Sequence, residues 1–217
     1  PALLEQFRET RLLGTHDDPR RACRPFDRTR NGIVLGEGAG ILILETLDHA
    51  RRREAPIHAI LAGWGLTADA ADRAAISGEG RGLQHAIRLA LDRANLDPAS
   101  IDYINAHGTG TRQNDLCESS AIAAILGPGK LCSSTKPITG HCAGATPALE
   151  AILSIRAMQE SFIPPTATCE SPDPECPIDP VPATGRRADL HTVLSNSLGI
   201  WGNNAALIFV GDSSRRT

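Results

Sequence analysis

No stretch of the 217 residues approaches the apolar length needed to cross a bilayer. The first residues, with Glu5, Arg8 and Glu9 among them, lack the pattern of a signal peptide. Neither sign of charge dominates. Twenty-two basic against 25 acidic residues give a formal net charge of −3 and an isoelectric point near 6.2. The basic residues are dispersed apart from Arg51-Arg52-Arg53 and Arg186-Arg187, so neither nucleic acid nor an anionic membrane is an expected partner. The six cysteines (Cys23, Cys117, Cys132, Cys142, Cys169, Cys176) include no Cys-x-x-Cys pair. A chain long enough to bury one good core or two small ones does not depend on disulfides, so the thiols are expected reduced and the setting cytoplasmic. Internal repeats and low-complexity tracts are also lacking.

What is present alternates between strand and helix. A glycine-rich turn, Gly36-Glu37-Gly38-Ala39-Gly40, precedes Ile41-Leu42-Ile43-Leu44, whose unbroken apolar run predicts a strand buried on both faces of a parallel or mixed sheet. Residues 57–65 read as a second strand. From Leu83 the positions Leu83, Ala86, Ile87, Ala90, Leu91 and Ala94 recur at helical spacing, and Asn95-Leu96-Asp97-Pro98 is expected to end that helix. A short strand over 101–105, a helix over 115–126 closed by Gly127-Pro128-Gly129, a strand near Leu131 and a helix from about 148 to 159 follow. Seven prolines between Pro164 and Pro182 mark an ordered surface connection, because strand patterns resume around Asn196 and over 205–210. This alternation predicts an α/β layered fold.

The chemistry concentrates in two small-residue settings, Asn105-Ala106-His107-Gly108-Thr109-Gly110-Thr111 and Ser134-Thr135-Lys136-Pro137-Ile138-Thr139-Gly140-His141. Imidazoles flanked by Gly and Thr can bring neutral N–H donors up to a carbonyl whose negative charge grows during reaction. Together with Pro25-Phe26-Asp27 and Arg30, the 36–40 glycines, Ser195-Asn196-Ser197-Leu198-Gly199 and Asn203-Asn204-Ala205, the two segments occur in the order seen in β-ketoacyl synthases, which the chain resembles from about Pro25 to Val210. The resemblance implies a thiolase-like layered αβαβα fold. The chain would supply the end of the N-terminal half (1–56) and the C-terminal half (57–217).

It further implies decarboxylative Claisen condensation between an acyl thioester and malonyl-acyl carrier protein, in fatty-acid or polyketide synthesis. His107 and His141 would bind the thioester carbonyl and stabilise the enolate. Lys136 would organise them with a carboxylate, expected to be Glu118. Thr109 and Thr111 resemble the hydroxyls that bind the phosphopantetheine arm, with turn-forming chemistry as the alternative. Leu198 and Ile200 fall in the acyl-gate region. Asn105, Glu150, Ser195 and Asn196 match positions that surround a monovalent cation in some members, though a hydrogen-bonded polar cluster would read the same. No redox or organic cofactor is required. The expected partners are the acyl carrier protein, the half carrying the cysteine nucleophile, and a second subunit in a homo- or heterodimer.

Cys132 imitates the nucleophile signature in Leu131-Cys132-Ser133-Ser134, but it lies four residues before Lys136, where the family has an ordinary strand residue. Cys142 directly follows His141. Two departures stand out: Ile200-Trp201 replaces Phe-Gly in the gate loop, and Pro147 replaces a small residue after Gly144-Ala145. The alternatives to a synthase are a chain-length-controlling or decarboxylating partner subunit and a non-catalytic fragment.

Overall fold

The computed structural model describes residues 2–69, 79–181, 183–199 and 201–212. Its centre is a mixed six-stranded sheet in the order β1-β8-β7-β2-β3-β5. These strands are β1 (Ile60–Ala68), β2 (Tyr103–Asn105), β3 (Leu131–Ser133), β5 (Asp179–Pro180), β7 (Thr192–Leu198) and β8 (Asn203–Val210). β7, β2, β3 and β5 run parallel, and β8 lies antiparallel between β7 and β1. A two-stranded ribbon, β4 (Phe162–Ile163) with β6 (Arg186–Arg187), sits apart.

Strand alternation divides the interior in two. Ile104, Cys132, Leu194, Ala206 and Ile208 point to one face, where they pack with α3 (Arg81–Ala94) and α4 (Arg112–Leu126). Leu83, Ala86, Ile87 and Ala90 are fully buried there, each large aliphatic contributing roughly 1.5–3 kcal/mol. Helix α3 lies so close to β1 that a Cβ on Gly63 or Gly65 would come within 2.0 or 1.9 Å of the Ala90 or Ala86 carbonyl oxygen. Tyr103, Val193 and Phe209 face the other way, onto α6 (Thr146–Glu160). That face is incompletely covered: Trp64 and Leu66, which alternate with the two glycines, remain 45% and 68% exposed.

The largest departure from expectation concerns residues 36–44. The glycines form no turn, and Ile41–Leu44 is no ladder strand, with Ile41, Ile43 and Leu44 all strongly exposed. A strand needs neighbours that satisfy its backbone, and the described residues supply none at that place. α3 ends at Ala94, as its spacing predicts, and Asn95 in a left-handed backbone (φ 52) caps it. One helix boundary moved. α4 starts at Arg112, three residues before the predicted start, because the Thr111 hydroxyl accepts from Asn114 N at 3.3 Å and caps the helix. Helices α1 (Ala2–Glu9) and α2 (Leu47–Arg52) carried no periodicity strong enough to be read. In the proline-rich connection the backbone turns at 166–169 and 173–176 before β5, while Pro182 lies outside the described residues.

Candidate active site

His107 is delivered by the end of β2, where Ala106 N donates to Ser133 O at 2.9 Å. The next four amides are gathered by two buried carboxylates of α4. Glu118 accepts from His107 N and Gly108 N, both at 2.8 Å. Asp115 accepts from Thr109 N and Gly110 N at 3.1 and 3.2 Å, and its second oxygen accepts from Phe26 N at 2.8 Å. Amides left open by a tight loop and acids in the first turns of the following helix complement each other. Arg30, fully buried, lies 3.5 Å from Asp115 and donates to Asp173 at 2.6 Å, tying the 25–30 turn to the same loop. Asp115 was not singled out from sequence. The signal was its position three residues before Glu118, on the same face of the helix.

Lys136 opens α5 (Lys136–Thr139) and is completely buried. Its ammonium donates to the His107 carbonyl, to His107 Nδ1 at 3.3 Å and to Glu150 Oε1 at 2.5 Å. The carboxylate bonded to Lys136 is therefore Glu150 rather than the expected Glu118. Glu118 binds loop amides, with Asn196 Nδ2 approaching it at 3.5 Å.

His141 is placed by the segment that precedes α2. His141 N donates to Val34 O at 2.8 Å, and Gly36 N donates to His141 O at 3.1 Å. Gly36 and Gly140 pass so closely that a Cβ on Gly36 would lie 2.2 Å from Thr139 O. The 36–40 glycines thus serve close approach to the His141 loop and to the start of α6. The two imidazoles meet edge to face, with ring centroids 5.2 Å apart.

Donors fix both tautomers. An ammonium can only donate, so His107 Nδ1 accepts from Lys136. His141 Nδ1 accepts from Ala143 N at 3.1 Å. Each ring therefore carries its proton on Nε2. Burial, with the nearby Lys136 charge, holds the His107 pKa well below its usual value and His141 down at about 4. Burial pushes the Glu118 carboxyl up to about 7, against its backbone donors, and Glu150 up to about 7, against the pull of Lys136. The result is two neutral N–H donors side by side in a low-dielectric pocket, suited to an oxygen that gains negative charge.

The remaining predicted residues fall as follows. Thr109 and Thr111 share a hydrogen bond between their hydroxyls at 3.0 Å beside His107. Leu198 ends β7, half-buried, and Ile200 lies outside the described residues. Asn105 pairs in register with Ser195, both buried. Ser195 follows Val193 on the α6 face, whereas Asn196 follows Leu194 on the α4 face, so their side chains part across the sheet. Cys132 is wholly buried in β3, and burial raises its thiol pKa well above the usual range. Cys142 is buried with Sγ 3.5 Å from Thr139 O. Among the described residues no cluster of three or more His, Cys, Asp or Glu could hold a metal, and no helix is long and apolar enough to cross a membrane.

Residues 58–170 match the family described as "Beta-ketoacyl synthase, C-terminal domain", and residues 1–50 match "Beta-ketoacyl synthase, N-terminal domain". The 3-oxoacyl-[acyl-carrier-protein] synthase 2 of Staphylococcus aureus is 45% identical over 206 residues, 94% of this chain and 51% of that protein. Among solved structures, the ishigamide ketosynthase/chain length factor superposes with a TM-score of 0.90 at 42% identity, covering 98% of this chain and 51% of that one. A type II polyketide synthase acyl-carrier protein in complex with its ketosynthase bound to the hexaketide gives a TM-score of 0.94 at 32% identity, covering 98% and 53%. The chain thus spans about half the length of the curated relatives it matches. With the fold, the paired histidines and the matched domains in agreement, this chain belongs to the β-ketoacyl synthase family, of which it carries the C-terminal domain and part of the N-terminal one.

Proposed function

We propose that the chain is the C-terminal half of a β-ketoacyl-acyl carrier protein synthase, joined near Pro56 to the end of the N-terminal half, and that it performs the decarboxylating part of a Claisen condensation. The observation that carries this reading is the pair of imidazoles in edge-to-face contact whose Nδ1 atoms both accept from donors, which leaves the ring proton of each on Nε2. In the reaction, His107 and His141 donate to the thioester oxygen of malonyl-carrier protein. The bond from the α-carbon to the carboxylate breaks, carbon dioxide leaves, and the electron pair becomes an enolate stabilised by the two N–H groups. The α-carbon then attacks the acyl thioester on a cysteine, the C–S bond breaks, the thiolate leaves, and a 3-oxoacyl thioester remains on the carrier. Lys136 keeps the His107 proton on Nε2, Glu118 holds the loop amides, and Thr109 and Thr111 receive the phosphopantetheine arm. Leu198 and Ile200 border the acyl gate.

The cysteine belongs to the other half. Every cysteine here is buried and free of disulfides, which supports that assignment and a reducing, cytoplasmic setting. By itself the chain lacks an acyl acceptor. The exposed apolar side chains Leu66, Ile41, Ile43 and Leu44 support packing of the other half against this chain. The complete protein is proposed to work as a homo- or heterodimer and to bind acyl carrier protein. The presence of His107, His141 and Lys136 together favours the condensing reading over a chain-length-controlling partner.

A monovalent cation fits one part of its expected site. Among the described residues Asn105 Oδ1 and Glu150 Oε2 are buried without a hydrogen-bond partner, and Ser195 lies beside Asn105 in register. Hard oxygens of this kind suit a cation that would neutralise the buried carboxylate. Asn196, on the opposite face, would contribute only through its backbone.

His141→Ala in the complete synthase tests the function. Malonyl decarboxylation should fall roughly a hundredfold to a thousandfold, the usual cost of one oxyanion donor, while acyl transfer onto the cysteine continues. Decarboxylation at the parental rate would overturn the reading.

A further inference from the structure

His141 Nδ1 meets a second group besides the Ala143 amide. The Thr146 hydroxyl, in the first turn of α6, lies 3.3 Å from the same nitrogen. Thr146 is only 3% exposed, and among the described residues its hydroxyl has no other side-chain hydrogen bond. A buried hydroxyl without a partner is costly, so this contact also answers the needs of Thr146 itself. Its backbone is helical (φ −52, ψ −48) directly before Pro147, a conformation that proline disfavours in its predecessor. Packing and the imidazole contact therefore hold the residue where it is. The amide of Ala143 reaches Nδ1 from a left-handed backbone (φ 47), which is unusual for alanine.

We propose that Thr146 is a positioning residue for His141: its hydroxyl is a second donor that shares Nδ1 with the Ala143 amide and fixes the ring's rotation, while the amide keeps the ring proton on Nε2. Resting on the function proposed above, this adds a side chain to the backbone contacts that hold His141. It also makes the Thr146-Pro147 pair a unit, with proline closing a helix start that has no side-chain cap.

The test uses the complete synthase carrying Thr146→Val, which keeps the shape and loses the hydroxyl, and Thr146→Ser, which restores it. Valine should lower kcat for malonyl decarboxylation about 3- to 10-fold, the range of one lost neutral hydrogen bond, with KM unchanged, and serine should return kcat to within about twofold of the parent. Ring ¹⁵N spectra of His141 supply a readout independent of turnover. The parent and both variants should give the Nε2–H tautomer that the Ala143 amide enforces, and valine alone should shift and broaden the Nδ1 signal. Equal kcat and equal ring spectra in parent and valine variant would overturn the proposal, as would a loss in valine that serine does not repair. A parent that does not decarboxylate malonyl thioester but shows the hydroxyl-dependent ring signal would instead remove the assigned reaction and leave the Thr146 contact standing.

Discussion

The His107 and His141 loops bring like groups to a centroid separation of 5.2 Å, yet they are held by unlike means. The His107 loop is pinned by buried charge: Glu118 and Asp115 take four consecutive amides, and Lys136 takes the histidine's own carbonyl and Nδ1. The His141 loop is pinned by backbone and shape, through Val34, Gly36 and the close Gly36–Gly140 crossing. A loop held by buried ions is costly to alter at any charged atom, because the partner is left unpaired. A loop held by close packing is sensitive to added volume.

The contrast breaks most visibly at Lys136. Lys136→Met leaves Glu150 buried without its cation and should destabilise the complete synthase by about 3–5 kcal/mol, measured by denaturant unfolding at neutral pH. Without the cation the Glu150 carboxyl is held still further above its value of about 7, so the loss should grow as pH rises above about 7 and level off below it, where Glu150 is protonated in both folded proteins. A variant as stable as the parent would show that the ion pair does not support the His107 loop.

Adding volume probes the other loop. Gly36→Ala places a Cβ against Thr139 O, and should cost about 1–3 kcal/mol while moving His141 and leaving the amides of residues 107–110 on Glu118 and Asp115 unchanged. Backbone amide NMR of the two loops would separate the outcomes. Equal perturbation of both would mean that the loops move as one body.

Protonation sharpens the comparison without a mutation. Both histidine pKa values are depressed, so both rings remain neutral donors as pH falls through 6.5, and His141 titrates only near 4. In the unfolded chain they take up protons first, so their contribution to stability is complete above about 6.5 and is lost as pH falls toward 4. Ring ¹⁵N shifts of both histidines should accordingly stay unchanged as pH falls to about 5. Ring shifts that titrate at about 6.5 would show that burial does not govern these rings.

Trp201 marks the smallest expected effect. Its side chain is 71% exposed in the turn between β7 and β8. Trp201→Gly should change stability by no more than about 1 kcal/mol and widen the acyl-chain range accepted by the complete synthase, measured by product profiles across chain lengths. An unchanged profile would remove Trp201 from chain-length selection.

Much of this was legible in the chain itself. Helical spacing from Leu83 and the small-residue settings of His107, Lys136 and His141 are local patterns, and each marked its element or its chemistry. Carboxylate pairing was not local. Glu118 and Glu150 are both acids on helices near the site, and only the packing of α4 under one loop and α6 beside the other gave Lys136 to Glu150. The run Ile41–Leu44 shows the opposite limit, since its composition specifies a buried strand but not the neighbour that would bury it. The sequence by itself determined which residues can donate, ionise or bury. Tertiary structure decided which of them meet, because hydrogen bonds and ion pairs act over a few ångströms between residues that lie far apart along the chain.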